Sequence, residues 1–196
     1  MDKYLSLKEN IEYTSEIVIE KSRFLGYAKR VETVIDAQEY IKQIKQKHSD
    51  ARHIVYAYRL FDSSKSTDDG EPSGTAGRPI LEYLNHKDIY QVVMIVVRYF
   101  GGIKLGTGGL VRAYTSSAME TLQTNLVEWQ EVSVFSFEAD YSEYQDILGW
   151  AKNKEVKFSN VQFGDKVEGE IAVLKVYEMP KQCKNVGSKF DFWEKE

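Results

Sequence analysis

In RYFGGIKLGTGGLVRAY, residues 98–114, the cations Arg98, Lys104 and Arg112 are interleaved with five of the chain's 13 glycines. A glycine-rich turn that opens a helix leaves backbone N–H groups bare, because the first N–H groups of any helix lack an internal partner. The aligned peptide dipoles add about half a positive charge at that end. A phosphate suits such a mouth: Gly108 and Gly109 would admit it to the backbone, Thr107 would cap the helix, and Lys104 and Arg112 would lean over the opening. The candidate anion- or nucleic-acid-binding residues are therefore Arg98, Gly101, Gly102, Lys104, Gly106, Thr107, Gly108, Gly109 and Arg112. The spacing is neither GxxxxGK[ST] nor GxGxxG, and close packing at a strand-to-helix corner is the competing reading.

A second polar loop, STDDGEPSGTAG (66–77), holds Asp68, Asp69 and Glu71 with hydroxyls at Ser73 and Thr75. Clustered carboxylates can ligate Mg²⁺ or exchange protons. The same residue types shape turns and cap helices, which is the reading favoured here. Elsewhere the chemistry is sparse. No serine lies in a GxSxG elbow, Cys183 has no evident base nearby, and His48, His53 and His86 have no zinc-ligand spacing. His53 reads as a hydrogen-bonded structural residue, and Tyr99 and Phe100 as core aromatics that could also stack bases. No catalytic residue, metal or cofactor is implied, and whether the chain is an enzyme stays open.

The elements that must hold these loops can be read from periodicity. EIVIEKSRFLGYAK (16–29) is extended. Apolar residues at helical spacing behind Thr33 predict a helix over about 33–48. ARHIVYAYRLF (51–61) alternates as a strand, with Ile54, Tyr56, Tyr58 and Leu60 on one face. The polar segment 62–79 looks too long for a tight hairpin. RPILEYLNH predicts a short helix with Pro79 in its first turn. QVVMIVVRYF (91–100) is a strand buried on both faces. Leu110, Val111, Tyr114, Ala118 and Leu122 form the buried stripe of the helix after the glycine turn. From about residue 128 a strand, a helix and two strands follow; KQCKNVGSKFDFWEKE then shows no evident strand, so that domain looks incomplete. The expectation is an α+β protein of two domains, 1–128 and 129–196.

With 196 residues, 42% hydrophobic and 29% charged, the chain has an ordinary globular composition. No stretch approaches the ~20 apolar residues of a membrane span. One cysteine and a start without an apolar leader core point to the cytoplasm. The net charge of −4 argues against generic attraction to nucleic acid, but residues 1–128 carry 17 Lys and Arg against 17 Asp and Glu, so the excess lies in 129–196. A focused basic face in the first part is compatible with that balance.

Three motifs met in order, KSRF (21–24), DDGEPSGTAG (68–77) and VVRYFGGIKLGTGGLVRAY (96–114), resemble the YigZ/IMPACT family over about residues 10–125. The resemblance implies a first domain folded like domain 2 of the fifth small-subunit ribosomal protein. For the rest it implies a ferredoxin-like domain similar to the last domain of elongation factor G. Matched positions run through Asp69–Thr75 and from Arg98 to Arg112. Eukaryotic IMPACT proteins are regulators of translation initiation, which implies a cytosolic, translation-linked role and a partner that is RNA or a ribosome-associated protein. Three functions follow: an RNA- or ribosome-binding module with the glycine turn as its anion site, an enzyme on a small phosphorylated metabolite or nucleotide, or a protein-interaction adaptor. The first is preferred.

Overall fold

A computed structural model describes residues 3–192. The chain divides into two compact units, Tyr4–Glu128 and a second that begins at Trp129. Among the described residues the secondary structure is mixed, with four helices and two sheets whose strands pair antiparallel within each unit. No helix among the described residues is long and apolar enough to cross a membrane.

In the first unit the sheet runs β2(Glu12–Ile19)–β3(Ser22–Arg30)–β6(Val92–Tyr99)–β4(His53–Arg59)–β5(Ser64–Thr67). β6 is central as its apolar run predicts, and its alternate residues feed two cores. Val92, Met94 and Val96 pack with α2 (Gly77–His86) and α3 (Gly106–Leu122), whereas Val93, Ile95 and Val97 pack with α1 (Val34–Lys47). The sheet is thus sandwiched, one helix on one face and two on the other. Thr33 and Asp36 close a reciprocal cap at the start of α1, as the sequence expects. A short strand, β1 (Lys3–Ser6), carries Leu5, whose backbone bonds Asp88 and Tyr90.

Three expectations need correction. The extended stretch 16–29 is two strands, because Glu20 and Lys21 both take positive φ (45° and 63°) and form the tight turn that suits a twisted hairpin. The polar segment after residue 61 also begins as a tight hairpin: Leu60 N–H bonds Ser63 O, and β5 pairs with β4 through Ser64–Thr67. On α3 Val111 is exposed, and Ala113, Ser117 and Thr121 share the buried stripe with Leu110, Tyr114, Ala118 and Leu122. Small residues fit there because the helix lies close to β3, where a Cβ on Gly26 would overlap Thr121 Oγ1.

The second unit contains β7 (Val127–Ala139), α4 (Tyr141–Ala151), β8 (Val156–Phe163), β9 (Val167–Val173) and β10 (Cys183–Phe192). Pairing gives the order β8–β9–β7–β10. Phe137, Ile147, Val167 and Ile171 form its core under α4. The expectation of a missing last strand is corrected, since β10 covers the free edge of β7 from Cys183↔Phe137 to Phe192↔Trp129. The glycine that argued against a strand sits in a bulge: Gly187 (φ 130°) takes up the register shift and pairing resumes beyond it. Residues 193–196 of that tail lie outside the described residues.

Candidate functional site

β6 ends on a charged residue, and the pairing places Arg98 opposite His53 on one neighbour and Phe24 on the other. Arg98 belongs to the row of Met94 and Val96, so its side chain points into the core shared with α2 and α3 and is only 6% exposed. It is not available on the surface, in contrast to its expected role as an anion contact. Its Nη1 donates to Glu71 Oε1 at 2.6 Å, and its Nη2 lies 3.4 Å from Ser22 Oγ, which also accepts from Gly101 N–H. Tyr114 on α3 donates its hydroxyl to the same Glu71 oxygen at 2.8 Å. Burial, then the Glu71 carboxylate, push the Tyr114 phenol far above its ordinary range, so it stays protonated. The Arg98 Nε is buried without a hydrogen-bonding partner.

The acidic loop gives each carboxylate a separate task. Asp68 accepts from the N–H groups of Gly74, Ala76 and Gly77, so it caps α2 from well upstream; the cap residue itself, Ala76, has no side chain for that role. Asp69 Oδ2 accepts from Ile54 N–H, which holds Asp69 at a strained φ of 44°. Its carbonyl accepts from His53 Nδ1 at 2.8 Å. Because a carbonyl can only accept, this bond fixes the His53 tautomer and leaves Nε2 as the bare nitrogen. Nε2 lies 4.0 Å from Glu71 Oε1, beyond hydrogen-bond reach. Thr75 bonds the Pro72 carbonyl within the loop, and Ser73 is exposed.

The glycine turn comes next. Gly101 lies against the β2–β3 turn, where a Cβ would overlap the Lys21 carbonyl. Gly106 makes the bend into α3 with φ 68°, so the helix is already running when the chain reaches Thr107. Thr107 therefore does not cap: the N-cap is Leu105, and no side chain bonds the first turn. Gly106, Thr107 and Gly108 are exposed. Gly108 has no steric need of a hydrogen side chain, since a Cβ there would meet only Arg112 Nη1, 3.9 Å away. The mouth of α3 is open to solvent, with the Arg112 guanidinium beside it.

Two clefts flank Lys104. One, of about 440 Å³, is walled by Arg52, His53, Glu71, Phe100, Lys104 and Thr107 and floored by Arg98. The other, of about 450 Å³, is walled by Glu20, Lys104, Gly109 and Arg112. Both polar loops thus meet at one place, the first cleft. Its single carboxylate, Glu71, is neutralised by Arg98, while Arg52, Lys104 and Arg112 are exposed and make no ion pair among the described residues. Arg52 and His53 carry no local signal in the sequence; only the register of β4 against β6 brings them here.

Comparison with known proteins follows the same lines. The Impact N-terminal domain model matches residues 20–122. The chain is 41% identical over 174 residues to the IMPACT family member YvyE of Bacillus subtilis, covering 87% of this chain and 79% of that protein. It is 31% identical over 104 residues to Protein IMPACT-B of Xenopus tropicalis, covering 49% of this chain and 32% of that protein. A crystal structure described as that of a hypothetical protein aligns with a TM-score of 0.61 at 30% identity, over 88% of this chain and 86% of the other.

Proposed function

The chain belongs to the IMPACT family, and from that footing we propose that it is a cytoplasmic, translation-linked module that binds single-stranded RNA through the basic face around the start of α3. The observation that carries this reading is the set of three exposed, unpaired cations, Arg52, Lys104 and Arg112, beside a helix mouth that no side chain covers. Phosphate neutralisation by such a set supplies sequence-independent affinity. Phe100, 45% exposed, offers a ring on which an unpaired base stacks. The family resemblance to translation regulators supplies the biological setting. The β8–β9–β7–β10 order with α4 on one face supports a ferredoxin-like second domain, similar to the last domain of elongation factor G. The first is read as like domain 2 of the fifth small-subunit ribosomal protein. The acidic loop lends no support to phosphoryl transfer, because Asp68 and Asp69 are engaged by backbone amides.

Binding of a fluorescent mixed-sequence RNA oligomer, followed from low to moderate salt, tests the reading. Each lost phosphate contact should flatten the log–log salt slope by about 0.7, so Lys104→Ala with Arg112→Ala should flatten it by about 1.4. An unchanged affinity and slope in the double variant would remove this face from the proposal.

A further inference from the structure

The floor of the first cleft raises a separate question. A buried Glu–Arg pair is not in general a gain in stability over apolar packing, because desolvation offsets the attraction. Here Glu71 and Arg98, 4% and 6% exposed, line the cleft together with His53, whose Nε2 makes no hydrogen bond among the described residues and lies 4.0 Å from Glu71 Oε1. The imidazole is held by Asp69, whose own backbone is strained and braced by Ile54 N–H. The same cleft is lined by Arg52 and Lys104, both exposed and without an ion pair among the described residues, and by the exposed ring of Phe100.

We infer that this cleft is a receptor for a terminal phosphomonoester carried by a nucleoside, with His53 Nε2, Arg52 and Lys104 on the phosphate and Phe100 against the base. The inference deepens the RNA reading and rests on it for what lies beyond the terminal nucleotide. The state of His53 selects the monoester. With Nδ1 committed to the Asp69 carbonyl, Nε2 of the neutral ring is purely an acceptor. A phosphodiester is permanently ionised and has no proton to offer it. A phosphomonoester, whose second proton leaves near pH 6, meets the ring in either state: as monoanion it donates to neutral Nε2, and as dianion it accepts from the imidazolium. In both cases one proton lies between the partners. Glu71, 4.0 Å from Nε2, is paired with Arg98, which offsets its repulsion of the phosphate. The volume, about 440 Å³, is that of a small-molecule site and suits one terminal nucleotide rather than a continuous strand.

The test uses the full chain and four probes: hexauridylate with a 5′-phosphate, with a 3′-phosphate or with neither, and free uridine 5′-monophosphate. One terminal phosphate should tighten binding about tenfold over the unphosphorylated hexamer, the gain of one or two charge-assisted hydrogen bonds. His53→Gln should abolish that preference and leave the unphosphorylated hexamer's affinity alone, Arg52→Ala should abolish it while also weakening all RNAs, and Lys104→Ala should weaken all RNAs. Equal binding of the three hexamers with no binding of the mononucleotide would overturn the inference and leave the RNA reading standing. If no hexamer binds but the mononucleotide does, and the His53 variant loses it, the receptor stands and the RNA reading falls. A preference that persists in both variants would also overturn it, since the discrimination would then lie elsewhere.

Discussion

Arg98 Nη1 lies 2.6 Å from Glu71 Oε1, and the pair joins the end of the central strand to the loop that precedes α2 while both side chains are almost wholly out of water. Neither charge can be removed alone without leaving the other uncompensated in the core. Glu71→Ala should therefore destabilise the protein by about 3–5 kcal/mol, and Tyr114→Phe by about 1 kcal/mol through the loss of one hydrogen bond. Replacing both charges together, Glu71→Leu with Arg98→Met, should recover most of the loss. Urea unfolding of the wild type, Glu71→Leu, Arg98→Met and their double variant, beside Glu71→Ala and Tyr114→Phe, measures this; additive single and double effects would show that the two residues are not coupled.

The glycines of the turn are not equivalent, and substitution separates their roles. Gly108→Ala should raise stability by about 0.5–1 kcal/mol, because alanine is the better helix former and its methyl meets nothing closer than Arg112 Nη1. The same methyl stands over the open mouth of α3 and should weaken RNA binding several-fold. Gly101→Ala should instead cost more than about 2 kcal/mol, because its Cβ collides with the Lys21 backbone. Paired melting curves and binding isotherms distinguish the cases, and a Gly108→Ala protein that binds normally would mean that no anion approaches there.

Asp68 holds three amide groups in place. Asp68→Ala should lower stability by about 2 kcal/mol or more, while Asp68→Asn, which keeps an acceptor oxygen, should lose less. Millimolar Mg²⁺ should leave the melting temperature unchanged. A magnesium-dependent rise that disappears in Asp68→Ala would return the loop to metal chemistry.

His48 should make stability depend on pH. Tyr99 donates to Asp50 and so accepts from His48 Nδ1, while Tyr27 donates to Nε2. That arrangement holds the ring neutral, and burial, then Lys47, lower its pKa from the usual 6.5. The unfolded chain therefore binds this proton more readily than the folded one, and stability rises with pH through the window. The contribution is complete above about pH 6.5 and is lost as the pH falls below it. Unfolding free energies between pH 5 and 8 should show this slope, and His48→Gln should reduce it; an NMR titration placing His48 at or above 6.5 would contradict the assignment.

Much of the fold was legible because its signals are local. The continuous apolar run 92–97 marks a strand buried on both faces, and Thr33 with Asp36 marks the start of α1, without knowledge of neighbours. The bend at Gly106 and the tail strand with Gly187 were misread for one reason: a glycine's φ is set by the chain around it, and both take positive values that only the assembled structure reveals. Likewise Glu20 and Lys21, neither of them a typical turn residue, are forced into a hairpin by the pairing of β2 with β3.

The sequence by itself determined which residue types were on hand at the glycine turn and the acidic loop, and that Lys104, Arg112 and the helix mouth would stand together, since all three lie within nine residues of chain around one helix start. Only the tertiary structure decided what each charge does. Arg98 and Glu71 are 27 residues apart and cancel in the core, whereas Arg52 and His53, at the start of a different strand, line the same cleft as Lys104. The physical reason is that a charge takes its role from its distance to other charges and to water, and both distances are set by strand register across the sheet rather than by spacing along the chain.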